Sequence, residues 1–333
     1  MKFKSVIFGL ALVAVLSLQI FAQSSGYRIS APVSYKNLSV FLIHGKDEIK
    51  SKNILTLQEA MEKGIFTVYE TSDVNELAVE NKSSQYEVFI QSGDIVKGGK
   101  QDRVLSITII IPANSGRIKI EAFCVESGRW QQRGKEQAGQ FSSSNERIVT
   151  KDLKIAANQA RSQDQVWKKV AEAQDKLSSN VGTSVNSAAS GTSLQLSLEN
   201  GKVVATADEY VNKLSGILDG KSDVIGYAFV INGKINSADI YASNFLFKKL
   251  WLKLLKASAI EAVAEMQSGR PAKLVKITDI QSFINDADHA KPQERTVNNR
   301  NKSVTRESDE NVVFEARDEK NKVVLHKSYV KKP

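Results

Sequence analysis

Thirteen residues, Gln91-Ser92-Gly93-Asp94-Ile95-Val96-Lys97-Gly98-Gly99-Lys100-Gln101-Asp102-Arg103, hold three glycines, three cations and two carboxylates. Glycine reaches backbone conformations with φ above zero and lets a ligand approach the main chain. Exposed amides in such a loop, with basic side chains beside them, can cradle a phosphate. Lys97, Lys100 and Arg103 would donate to an anionic group, with Gly98, Gly99 and Gln101 completing the cradle. Asp94 and Asp102 could orient those cations or bind a cation themselves. The stretch is not a P-loop, because Gln101 stands where Ser or Thr would follow Gly99-Lys100 and the next segment has strand character. The same glycines also fit an ordinary solvated turn.

A second group is Cys124-Val125-Glu126-Ser127-Gly128-Arg129-Trp130. Glu126 is a carboxylate suited to acid–base work, although no paired acid shows in the spacing. Arg129 adds a cation, and Trp130 offers a ring that could stack on a base or a sugar. Cys124 alternates with Ile118, Ile120 and Ala122 and reads as a buried, inert thiol. A nucleophilic role would need an activating base, and His44 is the histidine in the same half of the chain. His289 and His326 fall in a polar region and read as surface residues. One Cys gives no internal disulfide, and three scattered His give no zinc pattern, so no metal site is expected and no cofactor is indicated.

The elements that must position these groups are strands. Val104 to Ile111 is β-branched and stops at Pro112, and Arg117 to Glu126 alternates in polarity after the turn Asn114-Ser115-Gly116. A hairpin of the two would lay residues 125–130 beside 99–104, so the two groups would meet in space. Leu38 to Ile43, Phe66 to Tyr69, Leu77 to Glu80 and Tyr86 to Ile90 are further strands. Residues 131–150 lack apolar periodicity and read as a linker. Residues 151–178 have helical composition, as does the segment from Thr206 to about Leu218. Val224 to Ala242 is a hairpin about Asn232-Gly233, the favoured two-residue turn. Asn244 caps a long helix to Met266, ended by Ser268-Gly269-Arg270-Pro271. The predicted class is α+β, with a β-rich N-terminal half and helices and a further hairpin in the C-terminal half.

Met1 to Lys4 is a short basic segment, and Ser5 to Phe21 is almost continuously apolar before the polar run from Gln23. This is the layout of a signal peptide of residues 1–22, cleaved after Ala22. Its removal takes away Lys2 and Lys4 and no acid, so a net charge of +9 becomes +7. The stretch Phe245 to Met266 carries six charges and is not a membrane span. The expected product is an exported protein, periplasmic or extracellular, with no membrane span after cleavage. Residues 23–290 would form one α+β domain, and 291–333 a charged extension whose alternating pieces at Val312 and Val323 form a hairpin. Positive charge is spread without an Arg-rich arm, so nucleic acid is not an expected partner, and no protein partner is indicated.

The segments GDIVKGGKQDR (93–103), IIIP (109–112) and FCVESGRW (123–130) resemble the ARG-and-rhodanese-phosphatase-superfamily-associated protein domain family. GYAFVINGKINSADIYAS (226–243) and the helix after it resemble the second half of that family. The resemblance covers about residues 35–285. It implies a link to ADP-ribose or phosphorylated metabolites and carries over no catalytic residue.

The leading expectation is a binding module for an anionic ligand of phosphorylated or nucleotide-sugar type. The alternatives are a hydrolase acting on an ADP-ribosyl or phosphate substrate through Glu126 or Asp94, and an interaction protein with no small-molecule ligand. Binding comes first because no complete catalytic set can be read from the residues.

Overall fold

The computed structural model describes residues 26–267 and 274–333. The signal-peptide reading of 1–22 and the Ser268–Pro271 stop lie outside these residues. The class is α+β, as expected, and the strands form three sheets.

Six antiparallel strands make the first: β5 (Phe66–Glu70), β6 (Glu76–Asn81), β8 (Asp94–Gly98), β9 (Arg103–Leu105), β11 (Arg117–Cys124) and β12 (Phe141–Arg147), in the order β12-β8-β9-β11-β6-β5. It curls until its two edges touch at a bridge between Tyr69 and Gln140. Inside sit Phe66, Val68, Leu77, Val79, Val96, Leu105 and Phe141. A small sheet closes that core: β7 (Glu87–Ile90) pairs parallel with β4 (Ile54–Thr56) and antiparallel with β10 (Ile109–Ile111). α1 (Leu57–Glu62) follows β4 directly, with Thr56 and Glu59 forming a capping box.

The third sheet has nine strands. Its path is β1 (Arg28–Ile29), β3 (Leu38–His44), β13 (Val224–Ile231), β14 (Lys234–Tyr241), β18 (Val323–Lys331), β17 (Asn311–Asp318), β16 (Asn301–Glu307) and β15 (Pro292–Thr296), with β2 (Val33–Tyr35) also on β3. The charged stretch 291–333 thus contributes four strands to this sheet. Helices cover both faces. On one side α6 (Asn244–Ala264) packs with α3 (Gln163–Val181), α4 (Leu194–Leu198) and α5 (Gly201–Leu214). On the other, α7 (Ile277–His289) buries Ile280, Phe283, Ile284 and Ala287. The two faces explain the unbroken apolar run in β3: Leu38, Val40 and Leu42 point to the first core, Phe41 and Ile43 to the second. Among the described residues no helix is long and apolar enough to cross a membrane.

The Asn232-Gly233 hairpin forms as expected, with both turn residues at positive φ (52° and 71°). Other expectations need correction. The hairpin of 104–111 with 117–126 is only partial. Residues 103–105 do pair with 122–124, but Ile109–Ile111 moves to β7 and Arg117–Glu121 pairs with β6. An isoleucine-rich run has no polar face to hold it in one sheet; Ile109 and Ile111 enter one core and Ile110 another. The supposed linker 131–150 contains β12, whose apolar signal reduces to Phe141 packed on Gly99. The helical stretch from 151 is broken. α2 (Lys151–Ile155) runs into a π turn at Ala156–Ala160, and Arg161 reverses the chain at φ 48° before Ser162 caps α3. The cap of α6 is Ser243, which accepts from Leu246, while Asn244 binds the Val224 carbonyl.

Candidate functional site

The register of β9 on β11 continues past Cys124 and brings the two suspected groups together. Val125 donates to Asp102 O (3.0 Å), and the Asp102 amide donates to Glu126 Oε2 (3.0 Å). Asp102 is fully buried and takes a bidentate grip from Arg133 (2.8 and 3.0 Å), with Ser193 Oγ (2.8 Å) and the Gly98 amide (3.0 Å) also donating to it. Glu126 receives Arg129 Nε at 2.7 Å. Burial alone would raise its pKa; hydrogen bonds from Arg129, Ser190 and the Asp102 amide hold it below the usual range. Arg129 also reaches the carbonyls of Gly98 and Gly99 (both 3.3 Å), and Gln101 Nε2 donates to Glu126 O (2.8 Å).

Three of the remaining loop charges are matched as well. Arg103 is buried against Val74 O (2.7 Å) and Glu70 (3.4 Å), Lys97 pairs with Glu199 (2.7 Å), and Asp94 pairs with Lys253 (3.1 Å). Lys100 binds Ser72 Oγ (2.9 Å) and lies 5.2 Å from the centre of the half-exposed Trp130 ring. These side chains make an ion-pair knot whose charges face one another. Cys124 is buried beside it, its thiol pushed up to about 11 chiefly by burial. His44 lies in the nine-stranded sheet and binds Asp223 (2.9 Å), so it does not serve that cysteine.

A separate cavity of about 450 Å³ lies where the curled sheet, the nine-stranded sheet and the π turn meet. Gln159 and the exposed Gln293 are among its lining residues. His326, read from the sequence as a surface residue, is buried in its wall at 2% exposure. The reason is topological: β18 is an interior strand between β14 and β17. His326 Nε2 meets Asp239 Oδ1 at 2.9 Å, and its ring stacks on Tyr241 with centroids 4.6 Å apart. Burial would raise the Asp239 pKa, but the His326 hydrogen bond and the charges of His326, Lys154 and Arg147 hold it at about 2. An ionised Asp239 accepts, so Nε2 carries the ring hydrogen and Nδ1 faces Thr108 Oγ1, 3.5 Å away.

That shift carries a stability prediction. A carboxyl at 3.8 when unfolded and about 2 when folded stabilises the protein by about 2 kcal/mol above pH 4, and the contribution fades as pH falls from 4 to 2. Urea midpoints across that range should show the fall, and Asp239→Asn should flatten it. An unchanged profile in that variant would contradict the assignment.

Arg147, at the end of β12, is 7% exposed and lines the same cavity. Among the described residues its one hydrogen bond runs from Nη2 to Ser92 O (2.6 Å), and Nε has no partner. Burial lowers its pKa, but the negative charges of Asp94 and Asp239 more than offset this, so it stays charged. Gly93 makes its position possible, since a Cβ there would lie 2.9 Å from Nη2. Lys154 projects from α2 with Nζ 3.7 Å from Glu261 and 5.1 Å from the Phe229 ring centre. Thr150, just before α2, holds φ 68°, a strained value for a β-branched residue. The π turn after it is a feature often found at functional sites. Of the other charged lining residues, Arg161 and Arg295 both bind Glu121, Glu307 binds Lys332 (2.8 Å), and the buried Glu315 binds Arg317. Among the described residues Arg147 is therefore the buried cation of the lining that makes no hydrogen bond to a carboxylate, and Lys154 reaches one only at 3.7 Å.

A family model described as the ARG and Rhodanese-Phosphatase-superfamily-associated Protein domain matches residues 26–330. The chain belongs to that family. The match runs through the C-terminal strands, so both halves of the nine-stranded sheet and every wall of the cavity fall within the ARG and rhodanese-phosphatase associated domain. No curated protein and no solved structure matches the chain. Of the cavity groups, only Ser92 belongs to the glycine-rich stretch singled out in the sequence, and His326 reads there as a surface residue. Thr108, Arg147, Lys154, Asp239 and His326 come from different elements and form no motif. No local signal marks Asp239 or His326, because each stands in a strand that mixes polar and apolar residues throughout.

Proposed function

We propose that this is an exported binding protein for a small anionic ligand of phosphorylated or nucleotide-sugar type, held in the cavity by Arg147 and Lys154. The observation that carries the reading is the buried guanidinium of Arg147, whose Nε has no partner. A charged group left short of acceptors in a protein interior is costly, and a bound anion supplies what is missing. The volume of about 450 Å³ fits a small metabolite. The ion-pair knot beside it keeps the curled sheet in register and, through Gly93, leaves room for Arg147.

Thermal shifts with inorganic phosphate, sugar phosphates and ADP-ribose test the reading. At least one should stabilise the protein, and Arg147→Gln should weaken it by about 30-fold or more, the worth of a charge-assisted hydrogen bond of about 2 kcal/mol. Without ligand the same variant should be less stable, because it removes the hydrogen bond to Ser92 and the charge that Asp94 and Asp239 favour. A Lys97→Gln, Lys100→Gln double variant should bind as the parent does. If the double variant loses the ligand and Arg147→Gln keeps it, the anion sits on the loop and the cavity reading falls.

A further inference from the structure

The cavity wall holds an ordered chain of hydrogen-bonding groups that binding alone does not use. The Ser92 amide donates to Thr108 Oγ1 at 3.0 Å, so that oxygen's own hydrogen is left to point elsewhere. His326 Nδ1 lies 3.5 Å from Thr108 Oγ1, and on the far side of the ring Nε2 meets Asp239 at 2.9 Å. The sequence hydroxyl, imidazole, buried carboxylate is that of a nucleophile, its base and the group that orients the base. The ring nitrogens are exchanged relative to the common serine-hydrolase arrangement, but the roles are unchanged. Such contacts are often loose without substrate and tighten when it binds. Ser92 also ties this chain to the anion site, because its carbonyl accepts from Arg147 Nη2 at 2.6 Å while its amide holds Thr108. One residue therefore spaces the reactive hydroxyl from the cation.

We propose that the cavity hydrolyses a carboxylic ester carried on an anionic small molecule, with Thr108 as nucleophile, His326 as base, Asp239 as its orienting partner and Arg147 holding the anion. The proposal rests on the anion-binding reading above and adds a reaction to it. Thr108 Oγ1 attacks the ester carbonyl as its proton passes to His326 Nδ1. The carbon–oxygen bond to the leaving alcohol then breaks, and the alcohol takes that proton. Water attacks the resulting acyl-threonine, gives a proton to the same nitrogen, and the acyl–Oγ1 bond breaks as Oγ1 is reprotonated. The products are a carboxylic acid and an alcohol, with no redox change. Asp239 keeps the hydrogen on Nε2, so Nδ1 is the nitrogen that takes and returns the proton in each half of the cycle.

The test uses the mature chain with 4-nitrophenyl acetate and the monoanionic 4-nitrophenyl succinate. The parent should turn over both and favour the anionic ester, with an acyl adduct on the Thr108 peptide seen by mass spectrometry after rapid quench. Thr108→Val should lower kcat/KM by about 1,000-fold or more and lose the adduct, whereas Thr108→Ser should keep activity within about tenfold. Asp239→Asn should lower kcat by a similar factor and leave KM little changed, because it acts on the tautomer of His326. Arg147→Gln should lower kcat/KM for the succinate ester at least about tenfold more than for the acetate ester, so that the preference is lost. Full activity in Thr108→Val, or an adduct on another residue, overturns the assignment of the nucleophile. No turnover by a parent protein that still shows Arg147-dependent stabilisation by an anion overturns the reaction and leaves the binding reading standing.

Discussion

Asp102→Ala is expected to lower folding stability by about 3–5 kcal/mol, the usual result of breaking a buried ion pair from one side. Asp102 is fully buried, and its carboxylate receives Arg133 through two hydrogen bonds, Ser193 through one and the Gly98 amide through another. Arg129 also lies within 3.7 Å. Removing the carboxylate leaves Arg133 to Glu136 and a distant Glu126, frees the buried Gly98 amide and takes the acceptor from the hydroxyl of Ser193, the N-cap of α4. Replacing the whole set by apolar residues need not cost as much, because the desolvation of the charges would vanish with them. Urea denaturation of the two proteins at neutral pH measures the difference. A loss under about 1 kcal/mol would show that solvent reaches the knot and that its charges are not the buried pairs described.

The second large effect is expected at Gly226. It sits in β13 opposite Ile240, and a Cβ built there would lie 2.2 Å from Asp239 O and 2.9 Å from Ile240 Cα. Both are backbone atoms of the paired strand, so no rotamer change can make room. Gly226→Ala must part β13 from β14 at the point where Asp239 reaches His326. The expected cost is about 3 kcal/mol, at the upper end for overpacking of a core. The same variant should blunt the acid-range stability profile assigned to Asp239, since the pair would no longer be held at hydrogen-bonding distance. Gly116→Ala makes a useful contrast: nothing lies within 4 Å of its Cβ position, and its cost should come only from its φ of 63°. Equal losses in the two would argue against close strand approach as the cause at Gly226.

The ion-pair knot shows how far spacing can be pushed. Counting residues across one turn placed 125–130 beside 99–104, and the contacts of Val125 with Asp102 and of Arg129 with Gly99 fall within those ranges. The juxtaposition survived without the hairpin because residues 122–124 still pair with 103–105, although that register sets Val125 beside Asp102 rather than Val104. The partner Arg133 was lost in a segment read as linker, where polar residues gave no period to follow.

What the residues determined by themselves was local. β-branched runs, the Asn232-Gly233 turn, the alternation at Arg117–Cys124 and the family resemblance follow from steric preference and patterning over a few neighbours. They fixed the α+β class and marked out the glycine-rich stretch. Tertiary structure decided which charges are spent and which are free. Arg103, Arg129 and Arg133 are consumed by Glu70, Glu126 and Asp102, whereas Arg147, from a strand with almost no apolar signal, is left with an open donor in a cavity. It also decided that a histidine in a charged C-terminal stretch is buried against an aspartate 87 residues away. The physical reason is that pairing between strands distant in the chain sets both burial and electrostatic partners, and neither quantity is a property of neighbouring residues along the sequence.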